Sequence, residues 1–365
     1  PASCSPRAVP PAFVRPNAPA PPLLSRDFIF GSAGPAVPPD RLPLHYHSKG
    51  TDWINARSGW SDGATSLTFT ATPEITQSHA HIDSGSFVLW RGGWQAADAG
   101  SYGSSGLNQQ AGAHNMIQVA GQANNVSGKS RGLVHYTDDD KLMYAQIDST
   151  NLIERRVPGT DKYEPLLDEW TRELVYVRPD LLFVYDRVVP KPTAKSWSWR
   201  VHTPKKPTRA GPGRYVSTNQ GGAMSVDVVE GGEPKMAEDS DLDGGPSTAW
   251  RLEVGPNAAG RVLGVLRVAA GAPPSVPADA VAGAGVHGAV SGDQVVVFSA
   301  TALGRPAALP FTYKVKGADK HQHVLANMTG SCDVQITRDG GSVTVRVTPG
   351  GKHRASEHGL VRFSD

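Results

Sequence analysis

Apolar and polar residues alternate in short runs along most of the chain, and turn-forming residues separate the runs. WINARSGW (53–60) and TSLTFTAT (65–72) flank the turn SDGA, the pattern of a β-hairpin. GSFVLWRGGWQAAD (85–98) predicts two strands closed by Arg91-Gly92-Gly93, where glycine accepts positive φ. HNMIQVAG (114–121), KLMYAQID (141–148), TRELVYVRP (171–179), DLLFVYDRVV (180–189) and SWSWRVHT (196–203) continue the series. A polar stretch, GGAMSVDVVEGGEPKMAEDSDLDGGPS (221–247), reads as a loop region after a short strand. Strand patterns then resume at WRLEVG, GRVLGVLRVAA, QVVVFSA, FTYKVKG, HVLANM, DVQITRDGGSVTVRVT and GLVRFS. No heptad, fixed-period repeat or phosphate-binding glycine loop interrupts them. The pattern predicts an all-β fold, a large multi-layered antiparallel β-sandwich (a supersandwich).

Composition agrees. The 365 residues include 40 Gly and 30 Pro, as expected of many strands joined by turns. Hydrophobic residues make up 39% and charged residues 19%, a globular balance. A net charge of +2 with no Lys/Arg block argues against a nucleic-acid partner, and no apolar run is long enough for a membrane-spanning helix. Cys4 and Cys332 are too few for a disulfide framework; one bridge and two separate thiols both stay open. Residues 1–27, PASCSPRAVPPAFVRPNAPAPPLLSRD, have the proline spacing of an extended linker, which implies an upstream domain. Residues 28–270 are expected to form the central sandwich. The Pro/Gly/Ala-rich stretch 270–288 marks either a boundary, with 271–365 a smaller C-terminal β unit, or a long loop in one continuous sandwich.

The chemistry concentrates in SHAHIDSGSF (78–87). If a regular strand runs there, His79, His81 and Asp83 share one face. Two imidazoles and a carboxylate suit zinc, although an isolated pattern of this kind is more often a solvated strand face. Asp98 ends the partner strand of the hairpin and is thereby returned near His81. His114 opens the next strand after a Gly/Ser/Gln-rich loop that can wrap the same edge.

Taken together, SHAHIDSGSFVLWRGGWQAADAGSYG followed by GAHN resembles the heparinase II/III family of polysaccharide lyases. ARSGWSDGATSLTF upstream, and RELVYVRPDLLFVYDRV with WRVH downstream, are similar to further strands of that family, so the resemblance spans roughly residues 28 to 210. It implies a helical toroid followed by a layered β-sandwich, with an acidic polysaccharide such as a glycosaminoglycan or alginate in the cleft between them. The reaction implied is β-elimination: a base takes the C5 proton of a uronate and an acid protonates the departing oxygen at C4. By matching positions, the resemblance makes His81, Asp98 and His114 the ligands of Zn2+, and His79 and Tyr102 the catalytic candidates. Asp83 becomes a partner that orients a histidine. His202 is implied as a substrate-binding histidine, and Arg57 is a further candidate for contacting the polyanion.

One departure is large: no helical toroid is present, so the chain is expected to supply half a cleft, the other half coming in cis or in trans. Localisation is expected to be secreted or periplasmic, from a bacterial source. The rival readings are a non-catalytic carbohydrate-binding or structural β-sandwich and a zinc-dependent glycan hydrolase. Two other clusters read as surface features. DSDLDGG, with Asp239, Asp241 and Asp243, resembles the start of a calcium loop but carries Trp250 where a bidentate glutamate is needed. His321 and His323 in KHQHV read as surface histidines, with Asp319 the only carboxylate nearby in sequence.

Overall fold

A computed structural model describes residues 38–74, 81–99, 110–123, 128–239, 249–317 and 320–365. His79, Tyr102, Cys4, Asp241, Asp243 and Asp319 lie outside these residues. Among the described residues the chain is built from strands, with short 3-10 turns and no α-helix.

Three large sheets and one smaller sheet account for most of the strands. A five-stranded meander runs in chain order through His45–Ser48, Trp53–Arg57, Ser66–Thr70, Phe87–Trp90 and Trp94–Ala96. A four-stranded sheet places Trp197–Thr203 between Ile117–Val119 and Ala249–Val254, with Lys235–Asp239 at its edge. An eight-stranded sheet has Arg261–Ala270, Leu181–Pro190 and Leu167–Val177 at its centre. A nine-stranded sheet contains the remainder from Ala278 onward, and its one parallel pairing joins Gln294–Ser299 to Gln322–Leu325.

The eight-stranded sheet is the middle layer, and its strands show why. Along Leu181–Pro190, Leu182 and Val184 enter the core shared with the five- and four-stranded sheets. Leu181, Phe183 and Tyr185 point the other way, into a second core with Val296, Phe298 and Val324 of the nine-stranded sheet. Successive side chains on a strand alternate between faces, so a strand buried on both sides is apolar on both, as Leu181 to Tyr185 are, before the buried Asp186 and Arg187 interrupt the run. The nine-stranded sheet repeats the arrangement: Val296 and Phe298 face the middle layer, while Val295 and Val297 join a third core with Tyr313, Val343 and Val345.

The expected hairpins form. Gly340 and Gly341, both at positive φ, turn the last long hairpin, with Asp339 opposite Ser342. Two stretches differ from the sequence reading. Within the polar region 221–247, Gly222–Glu230 is a full strand of the middle sheet and Lys235–Asp239 an edge strand. Met224 and Val226 supply the inward face of the first, and pairing to Ala249–Val254 organises the second despite its charges. The Pro/Gly/Ala-rich stretch 270–288 contains the strand Ala278–Gly283 and runs into its partner Val286–Ser291. Gly283 and Gly288 lie where a side chain would strike the Thr312 and Val296 carbonyls, so small residues there permit close backbone approach.

Candidate functional site

The segment carrying His81 and Asp83 is a loop, not a strand: regular pairing starts only at Phe87. The expected single face of alternating ligands is therefore absent over residues 81–86. Ser86 N–H closes onto the Asp83 carbonyl at 2.7 Å, and Gly85 takes φ +96. A Cβ on Gly85 would lie 3.1 Å from the Trp170 ring, so glycine lets the loop lie against the middle sheet.

This loop meets two others. Asp98 follows the strand Trp94–Ala96, and His114 follows a 3-10 turn at Ala111–Ala113. Ala99 N–H donates to the Ala113 carbonyl at 2.8 Å and joins the two segments. His114 Nδ1 lies 3.0 Å from Asp98 Oδ1, and the His81 and His114 rings are 5.2 Å apart. The structure thus brings His81, Asp98 and His114 together, with Asp83 close enough to feel their charge. Burial holds the His81 imidazole below its ordinary pKa, and His114 adds to the effect. Burial raises the Asp98 carboxyl, but His114, with His202 and His81, outweighs it and leaves the group below its usual range. Asp83 is pushed up to about 6, mainly by burial. Two imidazoles and a carboxylate are donor types that suit zinc, but among the described residues only His321, His323 and Asp365 bring their ligand atoms all within 4.8 Å of one another.

Two residues that the sequence reading did not single out hold these loops. Asn115 is fully buried. Its Nδ2 donates to the Phe87 carbonyl at 2.7 Å, and its Oδ1 accepts the His202 N–H at 2.6 Å. Arg172, also buried, pairs with Asp186, which in turn accepts from Trp170 Nε1 at 2.9 Å. The remaining Arg172 nitrogen donates to the carbonyls of Gly85 and Asn115. One guanidinium on the middle sheet therefore ties down both the loop of His81 and the loop of His114. A signal was present, since Arg172 and Asp186 stand inside apolar strand runs where an unpaired charge would be costly.

The two substrate-binding candidates sit differently. His202 exposes none of its side chain, with Nε2 3.2 Å from Asp239 Oδ2 and Nδ1 3.3 Å from Asn115 Oδ1. Burial, with Arg200, pushes its pKa down to about 3. A neutral imidazole has one N–H for these two acceptors. His202 is thus buried between Asn115 and Asp239. Asp239 is correspondingly not part of an exposed acidic loop: it ends an edge strand and pairs with His202 and Arg251. Arg57 donates from Nε to the Gly59 carbonyl at 3.1 Å and lies over the Trp60 ring, apart from the histidine cluster's own contacts. His321 and His323 are buried, contrary to the surface expectation, and their carboxylate partner is Asp365.

The fold places the chain among the layered antiparallel β-sandwiches with a histidine–aspartate cluster on the loops of an outer sheet. The family model for heparinase II/III-like C-terminal domains matches residues 46–256, and the chain belongs to that family. Similar solved structures include the heparan sulfate lyase HepC from Pedobacter heparinus, with a TM-score of 0.53 at 16% identity over 68% of this chain and 41% of that one. A mutant of the same enzyme gives 0.54 at 16% identity, covering 70% and 42%. A heparinase III gives 0.53 at 14% identity, covering 72% and 43%. The chain thus spans about two-fifths of the length of these proteins. No curated protein matches it by sequence.

Proposed function

We propose that this chain is the β-sandwich part of a polysaccharide lyase that cleaves a uronate-containing acidic polysaccharide by β-elimination. What carries the reading is the meeting of His81, Asp98 and His114, on three separate loops, in a chain of the heparinase II/III-like family. These three residues would hold a zinc ion, with Asp83 orienting the set. Bound there, zinc would supply a fixed positive charge that organises the loops around the cleft.

The proton chemistry falls to residues flanking the cluster in sequence. His79 precedes His81 by two positions, and an imidazole is the side chain suited to take or give a proton near neutral pH, here at the sugar ring. Tyr102 follows Asp98 by four positions; it serves as base for the C5 proton or acid for the C4 oxygen once neighbouring positive charge lowers its pKa. The neighbours' much greater length supports a second module, in cis or in trans, that completes the cleft. Polymeric substrate of this class places the enzyme outside the cytoplasm, secreted or periplasmic.

The test is a panel of glycosaminoglycans, alginate and other polyuronates, assayed for the ultraviolet absorbance of the C4–C5 double bond. The chain is assayed alone and joined to any region that its gene encodes before it. Unsaturated product is expected in the joined form at least. Reducing ends without that absorbance would indicate hydrolysis, and no product from either form would leave a binding module. His81→Ala is expected to lose bound zinc, whereas His79→Ala keeps zinc and loses turnover by about 100-fold or more, the usual worth of a general acid or base. The reverse pattern overturns the assignment of roles.

A further inference from the structure

The nine-stranded sheet contains a second convergence of metal-ligating side chains, far along the sequence from the first. His321 immediately precedes the strand Gln322–Leu325, and His323 lies within it. Val361–Ser364 pairs antiparallel with that strand, setting His323 opposite Phe363, so that Asp365 arrives beside His321. The backbone locks the arrangement, with Asp365 N–H donating to the His321 carbonyl at 3.2 Å. One ring nitrogen each from His321 and His323 and one Asp365 oxygen all lie within 4.8 Å of one another.

We propose that His321, His323 and Asp365 form a binding site for a divalent transition-metal ion such as zinc, separate from the cluster around His114. The division of labour in the Asp365 carboxylate supports this. Oδ1 accepts from His321 N–H at 2.7 Å and from Arg338 at 2.9 Å, ordinary lengths for charge-assisted bonds. Oδ2 makes a longer hydrogen bond with His321 Nδ1 at 3.2 Å and lies 3.3 Å from His323 Nε2. Four ligands about 2.1 Å from a tetrahedral zinc stand about 3.4 Å apart, close to that spacing. His323 Nε2 is buried and makes no well-aligned hydrogen bond. Its other nitrogen lies 2.8 Å from the Tyr313 hydroxyl, the outer contact that fixes a ligating histidine's tautomer. Phe363 stacks on the ring with an interplanar angle of 3° and holds its orientation. With one anionic ligand and Arg338 alongside, the loaded site is net cationic, so moderate affinity is expected, with water or an anion in the fourth position.

The full chain, stripped with chelator, is titrated with Zn2+ and with Co2+ near neutral pH. The wild type is expected to bind two equivalents if the His81 cluster also loads, and His81→Ala to retain one. That remaining equivalent should give the intense visible spectrum of tetrahedral Co2+ and move the imidazole NMR signals of His321 and His323. His323→Asn in the His81→Ala background should weaken this binding at least tenfold. His321→Asn provides a second variant if the first fails to fold. Unmoved His321 and His323 signals in the wild-type chain at millimolar Zn2+ would show that the cluster is only a hydrogen-bonded clasp, and would overturn the proposal.

Discussion

Asn115 shows how much of the histidine cluster depends on a residue that ligates nothing. Its side chain bridges the Phe87 carbonyl and the His202 backbone, positions 28 and 87 residues away in sequence. Asn115→Ala strands both partners in a buried setting, where each lost bond costs about 1–3 kcal/mol. Urea denaturation should show the combined loss, and zinc affinity should fall with it as His114 loses its anchor. Glu173 offers a pH signature at the same scale. Burial raises its pKa from 4.5 to about 7, and the Tyr144 hydroxyl donates to it at 2.7 Å. Between those values the native state holds a proton that the unfolded chain has released. Its stabilising contribution is therefore full below about pH 4.5 and fades as pH rises through about 7, by about 3 kcal/mol in all. Glu173→Gln should flatten stability over that window. At this scale the sequence made legible that His81, Asp98 and His114 lie near one another, since the hairpin and the loop after it return to one edge. It was silent on Asn115 and on Asp365, because an amide or a carboxylate takes its role from partners that only the fold supplies.

At the scale of elements, alternation located most strands whose core face is apolar, but it missed Gly222–Glu230, Ala278–Gly283 and Val286–Ser291, where Gly, Ala and polar residues dilute the pattern, and it failed where pairing alone makes the strand. Lys235–Asp239 has no apolar stripe and exists because Ala249–Val254 offers it a ladder. The opposite failure occurred at residues 81–86, where polar alternation imitates a strand but Gly85 at φ +96 and the contact with Trp170 impose a loop. That loop depends on the buried Arg172–Asp186 pair. Arg172→Met should cost about 3–5 kcal/mol, since it leaves Asp186 buried and uncompensated. Adding Asp186→Leu should recover part of that stability. Zinc binding should recover in neither variant, because the Gly85 and Asn115 carbonyls still lack their donor. Denaturation curves paired with metal titration would separate the two effects, and recovery of both together would sink the anchoring argument.

For the whole molecule, the question is whether the nine-stranded sheet is an appendage. Phe298, fully buried, stacks on Tyr185 of the middle sheet with ring centres 5.1 Å apart. Phe298→Ala should lower stability by about 3–5 kcal/mol. Because the second core joins the two sheets, calorimetry should still show one transition; an early separate melt of the nine-stranded sheet would contradict the shared core. The sequence revealed the layers' strands but not their stacking order, because an apolar strand declares that it is covered, not by what.

The middle sheet also bears on how such proteins can be divided. Family similarity stops at residue 256, yet the strand Arg261–Ala270 lies inside that sheet, hydrogen-bonded on one side to Gly222–Glu230 and on the other to Leu181–Pro190. A chain ended at the limit of similarity would lack an interior stave and open the sheet at its centre. One ended at Ala270 would keep the stave but bare the apolar face of Tyr144, Val175, Phe183 and Val265 to water, an invitation to aggregate. The border drawn by sequence divergence is thus no seam in the protein, and exchange of parts between relatives would have to carry the final hundred residues along with the matched region.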